Sequence, residues 1–160
     1  MSAHLPHLTH GGARPELVGG RSQICIWLVD DNVAFRNSCV ELLEHAGGFL
    51  CAGQFDSAEE LLAALQKDKA PDVILLDIGL PGMSGLEALP MIKRGSPTPA
   101  VIVCSSLMSP AQEHDARSSG AWGVYAKVEL SKAIASIVYQ AVQMKPRAER
   151  VTDYSGQPGL

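Results

Sequence analysis

The sequence predicts an α/β fold, a doubly wound five-stranded parallel sheet, and three observations predict it. Short apolar runs alternate five times with helix-length segments. Several of these runs are almost continuously apolar, as strands become when helices cover both faces of a sheet. Helix-start chemistry also recurs between them: Ser57 with Glu60, Ser84 with Glu87 and Ser109 with Gln112 each fit a capping box.

The first strand is read at Ile24–Val29, and behind it Phe35, Cys39, Leu42, Leu43 and Ala46 recur at helical spacing. A second strand, Phe49–Phe55, leads into the helix opened by Ser57. The third covers 73–76, and the helix after it contains Pro90, which should shorten or kink it. The fourth covers 100–104. Its helix, about 110–119, opens on Pro110, a residue favoured at the first helical position. That helix offers only Ala111 and Ala116 as apolar positions, so it should be loosely held and able to shift. A fifth strand, Gly123–Ala126, precedes a closing helix marked by Ile134, Ile137, Val138, Ala141 and Val142.

Both ends have a different texture. Residues 1–22 carry four Gly, two Pro and three His and read as a flexible leader. His4, His7 and His10 are evenly spaced, but a polar tail is the better reading than a metal site. Residues 146–160, with Pro146, Gly156, Pro158 and Gly159, read as a tail or truncated linker. One organised domain, 23–145, is left between them.

Apolar residues at 46% and charged residues at 19% describe an ordinary globular domain. A net charge of −4 with scattered Lys and Arg gives no electrostatic footprint for nucleic acid or an anionic membrane. No run approaches the roughly 20 apolar residues that span a bilayer. No apolar signal region opens the chain. Cys25, Cys39, Cys51 and Cys104 form no Cys-x-x-Cys pair and suit a reducing compartment, so the cytoplasm is expected.

Function in such a sheet collects at the carboxyl ends of the strands. There the sequence places Asp30-Asp31 after the first strand, Asp77 after the third, Ser105 after the fourth and Lys127 after the fifth. Any one of them could be a helix cap, Asp31 in particular. All five at the right ends point instead to a site. Three close carboxylates repel one another and call for a hard cation such as Mg²⁺, which would also neutralise an incoming phosphoryl group. A carboxylate can attack phosphorus to give an acyl phosphate. Lys127 would meet a phosphate oxygen as a point charge, and Ser105 would hydrogen-bond to another.

The runs Leu28-Val29-Asp30-Asp31-Asn32, Leu75 to Gly85, Val101 to Ser105 and Ser119 to Lys127 resemble the receiver domains of bacterial response regulators, in their NarL-like flavour. Asp30, Asp77, Ser105 and Lys127 are separated by 47, 28 and 22 residues. The resemblance implies a flavodoxin-like (βα)5 fold with strand order 2-1-3-4-5 and Asp77 as phosphoacceptor. It further implies Mg²⁺ or Mn²⁺ held by Asp31, Asp77 and the Gly79 carbonyl, with Asp30 acting mostly through water. Ser105 and Lys127 become the phosphate-binding pair, and Val124 and Tyr125 mark the switch surface. The implied partners are a sensor histidine kinase or phosphotransfer protein and a downstream protein or missing output domain, with homodimerisation open.

Some features depart from the family. Val124 stands where receivers often carry Tyr or Phe, and Tyr125, one position on, should face the other side of the strand. Val128 replaces the proline that often follows the lysine, and the last residues do not read as the start of a helix-turn-helix. Two rival readings fit these residues less well. A pseudo-receiver that signals without phosphorylation would have no use for three carboxylates, Ser105 and Lys127 together. An aspartate-nucleophile phosphatase would need a second carboxylate after Asp77-Ile78, where Gly79 stands. No Gly-x-x-x-x-Gly-Lys loop is present. The expected chemistry is therefore confined to the domain's own phosphorylation and dephosphorylation.

Overall fold

Five parallel strands hydrogen-bonded in the order β2-β1-β3-β4-β5 form the centre of the computed structural model, which describes residues 23–144. The leader and tail readings lie outside the described residues. Among these, β1 (Ile24–Val29), α1 (Val33–Ala46), β2 (Phe49–Phe55), α2 (Ala58–Lys67) and β3 (Val73–Asp77) come first. They are followed by α3 (Gly85–Lys93), β4 (Ala100–Ser105), α4 (Pro110–Ser118), β5 (Gly123–Ala126) and α5 (Lys127–Gln143). The expected fold class and strand order are both present.

The near-continuous apolar strands have a direct cause: each buries both faces. Trp27, Val29, Ile74, Leu76, Val101 and Val103 pack toward Leu61 of α2, Leu89 of α3 and Ala116 of α4. Their neighbours Ile26, Leu28, Val73, Leu75 and Ile102 pack toward Leu43 of α1 and Leu130, Ile134 and Val138 of α5. Each large side chain removed from water in these layers stabilises the fold by about 1.5–3 kcal/mol. Val124 and Tyr125 fall on opposite sides, Val124 with the α2–α4 layer and Tyr125 with the α1–α5 layer, as the strand alternation requires.

Cap chemistry sets the helix starts. Ser84 and Ser109 complete their boxes: each Oγ accepts from the backbone N–H three residues on, and each serine N–H donates back to the side chain of Glu87 or Gln112. Ser57 makes half of one: its Oγ accepts from Glu60 N at 3.2 Å, while Glu60 Oε2 accepts from Asp56 N instead. Helix α3 runs through Pro90 and ends three residues later. Helix α4 buries only Ala116. Helix α5 begins earlier than its apolar pattern suggests. A non-helical Ala133 (φ −141°, ψ 24°) divides it, so Lys127 opens a first short turn.

The four cysteines are free. Burial above all pushes the thiols up, to about 11 for Cys25 and Cys51 and about 12 for Cys39, and Cys104 also rises. Raised values favour the protonated thiol, as suits the buried Cys39 and Cys104 and the half-buried Cys25 and Cys51. No described helix is long and apolar enough to cross a membrane.

Candidate functional site

Sheet register builds the rim. Val29 of β1 pairs with Leu76 of β3, so the residues that follow, Asp30 and Asp77, stand side by side. Asp77 pairs with Cys104, the residue before Ser105, and Ser105 pairs with Ala126, the residue before Lys127. Strands β3 and β4 each run one residue further than the apolar runs indicate, so Asp77 and Ser105 are themselves strand residues fixed by the ladder.

The β1–α1 turn gives its two carboxylates different surroundings. Asp30 is 2% exposed, its Oδ1 accepts from Asn32 N at 2.8 Å, and its own N–H donates to Phe55 O. Asn32, not Asp31, caps α1, accepting from Phe35 N at 3.1 Å. Asp31 is thereby left exposed at the mouth. The capping role considered for Asp31 belongs to its neighbour.

Asp77 is 4% exposed, and its Oδ1 accepts from Gly79 N at 3.0 Å. Lys127 Nζ lies 2.6 Å from Asp30 Oδ2 and 3.4 Å from Asp77 Oδ2. Both contacts pair the ammonium with a buried carboxylate, and the Asp77 contact is a hydrogen bond as well. Burial first, then the Asp30 charge, pushes the Asp77 carboxyl above its ordinary value against the Gly79 N–H and Lys127. Burial alone would lower Lys127, but the Asp30 contact and the Asp77 charge outweigh it and hold the ammonium above its usual range.

One oxygen from each of Asp30, Asp31 and Asp77 lies within 4.8 Å of the others. All-oxygen donors on an open rim fit a hard cation that keeps some of its water. Ser105 is buried but faces its own loop: Oγ donates to Leu107 O at 2.9 Å and accepts from Leu107 N at 3.3 Å.

Sequence reasoning missed several supports of this site. Arg36 Nη1 donates to the Asp30 and Phe55 carbonyls and pairs with Asp56, tying the ends of β1 and β2 to α1. Glu59 of α2 accepts from Met83 N at 2.9 Å, holding the loop after Asp77, and that bond keeps its carboxyl below the usual range. Phe35 lies under the Lys127 ammonium. None has a local motif, since each works through partners distant in the chain.

Fold and rim together define a flavodoxin-like α/β domain with an acidic, lysine-paired site at its strand ends. The chain belongs to the response regulator receiver family, whose sequence model, described as the response regulator receiver domain, matches residues 26–139. The chain is 34% identical over 127 residues to the DNA-binding transcriptional regulator NtrC of Salmonella typhimurium, covering 76% of this chain and 26% of that protein. With the response regulator GacA of Pseudomonas viridiflava it shares 35% identity over 100 residues, 61% of this chain and 46% of GacA. It therefore spans less than half the length of either relative. Among solved structures, the signal receiver domain of NarL from Mycobacterium tuberculosis superposes with a TM-score of 0.71 at 25% identity, covering 77% of this chain and 98% of that one. The NarL-like flavour of the sequence thus has a counterpart in structure.

Proposed function

We propose that this receiver accepts a phosphoryl group on Asp77 in a reaction dependent on Mg²⁺ or Mn²⁺, from a phosphohistidine on a sensor histidine kinase or phosphotransfer protein. One observation carries the reading: a buried Asp77 carboxylate stands 3.4 Å from the Lys127 ammonium, clustered with Asp30 and Asp31. An Asp77 carboxylate oxygen forms the P–O bond as the P–N bond to the donor imidazole breaks, its electron pair leaving on the ring nitrogen.

When bound, a Mg²⁺ held by Asp31, Asp77 and the Gly79 carbonyl, with Asp30 acting through water, would neutralise charge on the transferring oxygens. The chain's own groups do the rest. The Gly79 N–H fixes the orientation of the Asp77 carboxylate. Lys127 sets a positive charge where the new negative charge arrives, in surroundings less screened than water. Ser105 supplies a hydroxyl once it leaves Leu107.

Phosphorylation adds about −1.5 to −2 charge at Asp77. The pull on Ser105 and Lys127 then changes the surface carrying Val124, Tyr125 and α4, which a downstream protein or output domain reads. Such a shift needs only a few kcal/mol between two states. We place the domain in the cytoplasm, with no direct contact to nucleic acid or membrane.

The test is intact-mass measurement after incubation with acetyl phosphate and Mg²⁺. One added phosphoryl group on the wild type and none on Asp77→Asn is the expected result. Phosphorylation of both proteins, or of neither, would overturn it.

A further inference from the structure

We infer that Phe35 is a positioning residue for Lys127, its ring face holding the ammonium in the pocket between Asp30 and Asp77; the inference rests on the reading of Asp77 as phosphoacceptor. Lys127 Nζ lies 4.7 Å from the centroid of the Phe35 ring. Its side chain is 14% exposed, although it is a flexible four-carbon stem at the mouth of the site. Carboxylate oxygens take two sides of the ammonium, at 2.6 and 3.4 Å, and the ring face lies against it as well.

Both partners are anchored. Phe35 stands in the first turn of α1, where its N–H donates to the Asn32 cap at 3.1 Å, and it packs against the α1–α5 layer of the core. The ring position therefore follows from the same turn that places Asp30 and Asp31. On the other side, Ser131 Oγ donates to Lys127 O at 2.9 Å in the short opening turn of α5. That turn has no proline after the lysine and no side-chain cap at Ala126. The backbone fixes only where the lysine stem begins, and the position of its ammonium is set by what the head group meets.

An aliphatic residue at position 35 could fill the same space, but only an aromatic face presents negative potential to a cation. At an interaction strength between exposed and desolvated sites, the ring favours the pocketed ammonium by about two- to thirtyfold. In that place Lys127 meets an oxygen of the incoming group without first being recovered from solvent. The spacing in Phe35, Cys39, Leu42, Leu43 and Ala46 marks this phenylalanine only as a core position. Its second use emerges when α1 and α5 are brought together.

Two measurements on the full chain test this. Without metal or phosphodonor, proton NMR of the Lys127 methylenes nearest Nζ should show an upfield ring-current shift that Phe35→Leu abolishes. Unshifted signals in the wild type would overturn the proposal. Phe35 is then replaced by mono-, di- and trifluorophenylalanine, which keep its shape and progressively weaken the face potential. Initial rates of phosphorylation by acetyl phosphate at saturating Mg²⁺ should fall with each fluorine, by about two- to thirtyfold across the series, with Mg²⁺ affinity unchanged. A flat series would overturn the proposal, even if Phe35→Leu is slow, because packing alone would then explain the loss. A wild type that takes up no phosphoryl group overturns the phosphoacceptor reading instead, and the metal-free NMR still decides whether Phe35 holds Lys127.

Discussion

A Cβ at position 85 would lie 2.2 Å from the carbonyl oxygen of Asp77, so the backbone of β3 and the start of α3 touch where only glycine fits. The Asp77 carbonyl carbon and Ile78 Cα are also within 2.9 Å of that point. These are backbone atoms, and no side-chain rotation relieves the clash. Gly85→Ala should cost about 1–3 kcal/mol by overpacking and also displace Asp77. Each kcal/mol would appear as a fall of about 3–6 °C in Tm for a domain of this size. An unchanged Tm together with wild-type phosphorylation would show that α3 can move away freely.

Asp77→Asn should stabilise the metal-free domain at neutral pH. The folded state raises the Asp77 pKa through burial and the Asp30 charge, so the folded protein binds this proton more tightly than the unfolded chain. Stability from that proton is therefore present at low pH. It is lost as pH rises from the ordinary value of 3.8 through the raised one. Asparagine keeps an acceptor for Gly79 N and removes the buried charge. Melting curves from pH 3 to 8 should show the variant's advantage appearing as pH rises, and Mg²⁺ should narrow it by stabilising the wild type alone. A less stable variant at pH 7 would contradict the balance of charges described.

Asp31 should matter to the cation and hardly at all to the fold. Were it the cap of α1, replacement by alanine would cost about 1 kcal/mol, but Asn32 holds that position. Asp31→Ala should change stability by no more than about 0.5 kcal/mol, as exposed substitutions do. Changes behind a metal's direct ligands cost about 10–100-fold in affinity, so losing a direct ligand should cost at least tenfold. Titration calorimetry with Mg²⁺ on wild type and variant separates the two effects. Equal affinities would remove Asp31 from the cation site.

The strands and the acidic rim were legible because burial on both faces forces apolar runs, and the first polar residue after each run is where a parallel strand meets the rim. The slight burial of α4, confined to Ala116, was legible for the same reason, from its lack of apolar positions. Other features left no local trace. Asp31 and Asn32 are equally good capping residues, and only the path of the turn, with Asn32 N donating to Asp30 Oδ1, decides between them. The first turn of α5 was hidden because Ala133 breaks the helical phase ahead of Ile134. Arg36 and Phe35 act on partners at Asp56 and Lys127, contacts that exist only once the sheet is assembled.

Ser105 gives the last prediction. Its hydroxyl is held by Leu107 on both the donor and acceptor sides, so reaching an oxygen on Asp77 means surrendering the bond to Leu107 O. The loop that loses this tie leads directly into Ser109 and α4. That helix buries one residue, whereas α5 buries five. The loosened loop and the weakly held helix should therefore respond together. With beryllofluoride and Mg²⁺ as a phosphoryl mimic, amide exchange should change across 107–126 and stay constant in α2, which buries Leu61 and Ala64. Ser105→Ala should lose about 0.5–1.5 kcal/mol of stability in the resting state and still accept the phosphoryl group, but with that exchange response absent. Identical protection with and without the mimic in the wild type would leave α4 no part in the switch.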